Sequence, residues 1–98
     1  MTCKPSDLVF IPFPYSDLTA TKKRPVLVLI SPDRHGDFIA LAVTSVQTDE
    51  HAVQIDAGSL TTGTLPKISW IRLDKIFTLS GSNILKVFGT LFRRKEQY

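Results

Sequence analysis

Ninety-eight residues, 43% apolar and 21% charged, have the make-up of one soluble globular domain with a core of moderate size. No apolar run approaches the roughly 20 residues of a membrane span, the segment Met1–Pro5 has no signal-peptide core, and the single cysteine, Cys3, excludes an internal disulfide, so a cytoplasmic protein is expected. The net charge of +3 is compatible with a nucleic-acid partner but does not demand one; the cations gather at Lys22–Arg24 and Arg93–Lys95.

In chain order, Asp7–Pro12 reads as a first strand, stopped by Pro12. Residues 13–21 hold a proline, two aromatics and several turn formers, and read as a long loop. Lys22, Lys23 and Arg24 then lead into Pro25 and the apolar run Val26–Ile30, closed by Pro32. A run this short, bounded by prolines and rich in Val, Leu and Ile, predicts a buried strand. Arg24 is expected at its mouth, with Pro25 fixing the backbone beside it. After a polar turn at Asp33–Asp37, the apolar stretch Phe38–Thr44 predicts the second arm of a hairpin.

Gln47–His51 reads as a loop, Ala52–Ile55 as a short strand and residues 56–63 as turns. Lys67–Phe77 alternates polar and apolar over much of its length, as a half-exposed strand does. Ser80–Asn83 is a turn that opens a single helical turn, and Lys86–Leu91 is a last strand. The tail from Phe92 is too short for a helix that stands alone. Several short strands separated by turn signals predict a mainly β protein, a small barrel or sandwich.

Polar residues converge at one end of the hairpin. If Ser31 lies opposite Phe38, Arg24 lies opposite Ser45; a shift of one residue puts Arg24 opposite Thr44. Cross-strand Cβ atoms are about 5 Å apart, so Arg24 meets the Thr44–Ser45 pair in either register. Both strands are apolar, so the pattern does not choose between the two. A guanidinium beside a hydroxyl suits a phosphate, because the fork of five donors matches its oxygens. The plainer alternative is a strand end with an arginine reaching into solvent.

Arg72 and Asp74 form a second pair. Alternate residues of a strand share a face, so the two side chains can flank one substrate group, Asp74 as base and Arg72 as charge stabiliser. The alternative here is a surface ion pair worth under about 1 kcal/mol. His35 sits at the far end of the hairpin from Arg24, and His51 follows in a loop nearer to it; both are expected to be exposed. Cys3 is read as incidental. Trp70 is expected in the core or as a lid, with base stacking open to it. The sequence holds no metal-ligand spacing, no phosphate-binding glycine loop and no Ser/His/Asp set, so neither a metal nor a cofactor is expected.

The ordered set of pieces resembles the PemK/MazF-like toxins of bacterial toxin–antitoxin systems. It comprises Asp7–Asp17, Lys23–Leu29, Ala42–Ser45, Trp70–Thr78 and Lys86–Leu91. The resemblance implies an SH3-like β-barrel that forms a homodimer. It implies a metal-independent endoribonuclease that cuts single-stranded RNA, often messenger RNA, through attack of the ribose 2′-OH on its own phosphate. It also implies an acidic antitoxin partner.

On the matching positions, Arg24 and Thr44 are the arginine and threonine at the scissile phosphate, and Arg72 and Asp74 the acid–base pair. Ser45 falls in the RNA pocket, and Lys22, Lys23 and Trp70 are further RNA-binding candidates. Members usually carry glycine just before the first strand's aspartate, where this chain has Ser6. They also contribute a loop histidine absent here. The chain is expected to form one domain over residues 1–98, with 92–98 a short basic tail in place of the family's C-terminal helix. The competing expectations are a non-catalytic or degenerate member of the same fold that binds a protein or nucleic acid, and a generic SH3-like module with Trp70, Tyr15 and Phe13 as an aromatic groove.

Overall fold

Seven strands account for most of the chain in the computed structural model, which describes residues 2–14 and 21–92. They are β1 (Asp7–Pro14), β2 (Thr21–Ile30), β3 (Asp37–Thr44), β4 (Ala52–Ile55), β5 (Leu60–Gly63), β6 (Ser69–Ser80) and β7 (Lys86–Leu91). They form one curled antiparallel sheet, a half-barrel, in the order β4-β6-β3-β2-β1-β7-β5. Among the described residues no helix is long and apolar enough to cross a membrane. The aromatic-rich stretch 15–20 and the basic tail 93–98 lie outside the described residues.

The sheet buries apolar side chains on both faces. Val9, Ile11, Val26, Val28, Phe38 and Ala40 form one cluster with Cys3 and Ile84. Leu8, Leu27, Leu41, Val43 and Ile71 form the other, with Ile55, Leu60 and Leu65. Successive residues of a strand point to opposite faces. A central strand packed on both sides is apolar throughout, which is why Val26, Leu27 and Val28 do not alternate; Leu29 and Ile30, expected to be buried with them, lie beyond the packed region and are exposed.

The β2–β3 hairpin turns on Gly36, whose φ of +83° is open to glycine at no steric cost. The Asp33 carboxylate accepts from the backbone N–H groups of His35 (2.8 Å) and Asp37 (3.1 Å) and holds the turn. Both registers considered from the sequence occur in this hairpin. Ile30 pairs with Ile39, but Val28 pairs with Ala40 and Val26 with Ala42. Leu29 is the extra residue of a β-bulge, and it moves the ladder by one place.

Four spans differ from expectation. Strand β1 is not stopped by Pro12 but runs to Pro14, because Pro12 and Phe13 keep their places opposite Lys23 and Lys22 of β2. Strand β2 starts at Thr21 rather than Val26, because Lys22, Lys23 and Arg24 pair through their backbones with Phe13, Pro12 and Ile11 of β1 while their side chains stay exposed. Residues 56–63 are not all turn. A 3₁₀ turn at Ala57–Ser59, capped by Asp56, leads into β5, which pairs with β7. Only Leu60 of β5 is buried, so the strand carries almost no hydrophobic pattern and exists through a partner distant in sequence. Strand β6 runs on to Ser80 and is interrupted: Leu41 pairs with Ile76 and Ala42 with Arg72, leaving Leu73, Asp74 and Lys75 bulged out between them.

Asp7 ties the N-terminal turn to β7. Its buried carboxylate accepts from the Lys4 backbone N–H (3.0 Å), the Lys4 ammonium (3.1 Å) and the Thr90 hydroxyl (2.8 Å). Burial pushes this carboxyl up, but those three donors outweigh it and hold it below the usual aspartate range. The preceding residue, Ser6, has φ +78°, donates to the Val28 carbonyl and accepts from the Leu91 N–H. A left-handed backbone at this place explains why a glycine suits it.

Replacing Ser6 by Gly removes a strain of about 1–2 kcal/mol, partly offset by the greater freedom of glycine in the unfolded chain. Ser6→Gly is expected to raise the urea midpoint, with a net gain of up to about 1 kcal/mol. Gly63 behaves oppositely: at φ +83°, an added Cβ would lie 2.1 Å from the Phe88 carbonyl oxygen. Gly63→Ala is expected to cost about 3 kcal/mol or more in the same titration, by combining strain with overpacking.

Candidate active site

The site begins where β2 and β3 part. Pro25 has no N–H to donate to a ladder, and the β2–β3 pairing ends next to it, at Val26 and Ala42. Continued by two residues, that register sets Arg24 across from Thr44. The next strand completes the row: Ala42 pairs with Arg72 and Thr44 with Trp70, so Arg24, Thr44 and Arg72 fall on one face. A cleft of about 330 Å³ opens there, lined by Arg24, Thr44, Arg72, Lys75 and Phe77 around a floor of Pro25, Val26, Ala42 and Val43. Its lining carries three cations and no carboxylate, which suits an anionic ligand.

Thr44 is oriented by its own turn. Its Oγ1 accepts from the Val46 backbone N–H at 3.1 Å. A hydroxyl that accepts in this way keeps its proton to donate elsewhere.

Arg72 is held by Asp74. Its Nε and a terminal nitrogen donate to the two carboxylate oxygens at 3.3 and 3.1 Å, a bidentate contact. These bonds are the main reason the Asp74 carboxyl lies below the usual range. Asp74 itself does not line the cleft. The pair was expected to share a face of a regular strand; instead the bulge at Leu73–Lys75 folds Asp74 back onto Arg72. The Leu73 N–H donates to the His51 carbonyl at 2.7 Å, which ties the bulge to the residue before β4.

The other candidates divide. Lys75 and Phe77 line the cleft and went unnoticed in sequence, because the bulge that turns Lys75 inward leaves no periodic signal. Ser45 lines a smaller pocket over Phe10 and Phe88, and the Lys23 ammonium lies 5.3 Å from the centre of the Phe10 ring. Lys22 is exposed on β2, and half-buried Trp70 lies between Thr44 of β3 and Gln54 of β4. His35 stays in the hairpin turn, away from the cleft. His51 reaches the site region through its backbone carbonyl, and its residue is exposed.

A curled seven-stranded antiparallel sheet with a cation-lined cleft where β2 and β3 part is a small β half-barrel. The chain belongs to the PemK-like, MazF-like toxins of type II toxin–antitoxin systems, whose family model matches residues 4–96. Membership carries with it a toxin role and an antitoxin partner. A comparison with curated proteins returned no match.

The Arg72–Asp74 contact has a direct test. Arg72→Gln is expected to return the Asp74 carboxyl toward the ordinary value near 3.9, followed by NMR titration of the side-chain carboxyl carbon. The urea midpoint should barely move, since the pair is solvent-accessible.

Proposed function

We propose that this toxin is an endoribonuclease that cuts single-stranded RNA without a metal, by attack of a ribose 2′-OH on the adjacent phosphate. The observation that carries the reading is the convergence of Arg24, Thr44 and Arg72 on one cleft, from three strands. The scissile phosphate sits between the Arg24 and Arg72 guanidinium groups, and the Thr44 hydroxyl donates to one of its oxygens. All three favour the added charge of the pentacoordinate transition state more than the ground state.

For Asp74 to take the proton of the 2′-OH as the 2′-oxygen bonds to phosphorus, its carboxylate, which stands behind Arg72 and outside the cleft lining, has to turn one oxygen past the guanidinium into the cleft. The bond from phosphorus to the 5′-oxygen breaks, and that oxygen takes a proton from Arg72. The products are a 2′,3′-cyclic phosphate and a 5′-OH. The two-bond contact between Asp74 and Arg72 offers a path for the proton to pass back from carboxyl to guanidine, which restores both groups. A carboxyl held below its usual range is a weak base.

The protein works as a cytoplasmic homodimer, with an acidic antitoxin segment lying over the cationic cleft. Incubation of the purified protein with single-stranded RNA in chelator tests the reading. Cleavage to cyclic-phosphate ends is expected, and Arg24→Ala should slow it by about 100-fold or more, the scale of losing one transition-state donor. Intact RNA, or an Arg24→Ala variant as fast as the parent, would refute it.

A further inference from the structure

The mechanism leaves one cation of the cleft without a task. Lys75 lines the cleft beside Arg24, Thr44 and Arg72. We propose that Lys75 is a further catalytic residue, whose ammonium donates to a non-bridging oxygen of the scissile phosphate and keeps its own proton throughout. The proposal rests on the ribonuclease reading for the identity of that phosphate.

The bulge that carries Lys75 buries nothing. Leu73, Asp74 and Lys75 are all exposed, yet β6 gives up its ladder with β3 at each of these places. Its visible results are the Asp74 carboxylate on Arg72 and the Lys75 side chain in the cleft. Bulges are common next to active sites, where they re-aim a side chain. This one is also anchored, by the bond from the Leu73 N–H to the His51 carbonyl, so Lys75 hangs from a held backbone.

The cations of the cleft are not equally committed. Arg72 gives its Nε and one terminal nitrogen to Asp74, while the Lys75 ammonium makes no hydrogen bond or ion pair among the described residues. The Asp74 carboxyl is held low first by the bonds from Arg72 and, in smaller part, by the charge of Lys75. Asp74 thereby offsets some of the repulsion among the cations gathered there. An ammonium is a compact charge with three rotatable donors. It can follow a phosphate from tetrahedral to trigonal-bipyramidal geometry, a freedom that a planar guanidinium tied along one edge to a carboxylate lacks. A donor so placed gains strength as the phosphate takes on its second negative charge.

Two measurements on the full chain test this. In the first, short single-stranded RNA is cut under single-turnover conditions at saturating protein, with one or the other non-bridging oxygen at the cut replaced by sulfur, a poor hydrogen-bond acceptor. At one of the two oxygens the parent is expected to lose about tenfold in rate, the scale of one charge-assisted bond. Lys75→Gln, checked for an unchanged circular-dichroism spectrum, should cut the all-oxygen strand about 100-fold more slowly. It should lose the sulfur penalty at that oxygen and keep any penalty at the other. In the second, the Lys75 Cε signal of the parent is followed by NMR on binding an oligonucleotide that is 2′-deoxy at the cut, so that it binds but is not cut. A set of these strands carries a neutral methylphosphonate at one position at a time. The signal is expected to move with the all-phosphate strand and to stay in place with one of the methylphosphonates, the one at the cut.

Equal sulfur penalties in Lys75→Gln and the parent overturn the proposal however slow the variant is, because a residue that only shapes the cleft slows every strand alike. So does a variant as fast as the parent. A Lys75 signal that stays still with every strand, or moves alike with all of them, overturns it too, and this parent measurement decides the matter if the variant fails to fold. Cleavage by the parent with an unmoved Lys75 signal defeats Lys75 alone. A signal that answers to one phosphate, with no cleavage by the parent, defeats the ribonuclease and with it the catalytic role, and leaves only the phosphate contact. No binding of any strand defeats both.

Discussion

A missing hydrogen-bond donor shapes this molecule's working end. Pro25 stands between the cations and the apolar run of a central strand, and the ladder between β2 and β3 stops beside it. On the β1 side the pairing continues, with Phe10 opposite Pro25 and Ile11 opposite Arg24. The strand is thus held along one edge and released along the other. That asymmetry opens space next to Arg24 while keeping its backbone fixed. A polar side chain on a rigid strand is placed with less freedom than one on a loop.

The two-faced core is the second condition. Because the sheet packs apolar side chains against both faces, neither face is entirely free to carry polar groups. The cations of β2 and the hydroxyls of Thr44 and Ser45 lie just past the end of the packed region. Charge at the strand mouth escapes the cost of burial, while the adjoining Val26 and Val43 keep its base rigid. Asp7 is the exception, an ionised group inside the packed region, and it has three donors to itself.

Much of this was legible in the residues. The hairpin and its turn follow from the apolar runs on either side of Asp33–Asp37, and the meeting of Arg24 with Thr44 follows from counting across that turn. The count left two registers, because the facing runs Val26–Ile30 and Phe38–Val43 are apolar at every place; a bulge at Leu29 lets each hold in its own half. Strand β5 escaped notice because Thr61, Thr62 and Gly63 are exposed and its pairing partner lies some thirty residues away. The Arg72–Asp74 pair was legible as a pair but not in its geometry. A rule of alternation fails where three residues loop out, so Lys75 and Phe77 could not be placed in the cleft beforehand. The pocket over Phe10 and Phe88 draws on β1, β2, β3, β7 and the segment before β6, a gathering that no local pattern announces.

The Leu29 bulge has a bearing on how such a chain can change over generations. It absorbs one residue between the hairpin turn and the working end, so the two ends of β2 are not locked to a common count. Lengthening or shortening the turn by one residue can be taken up at Leu29, by losing or enlarging the bulge, before it reaches Val26. Turn and cleft are thereby uncoupled. The exposed hairpin tip is free to drift in length and composition while the geometry at Arg24 and Thr44 is inherited unchanged.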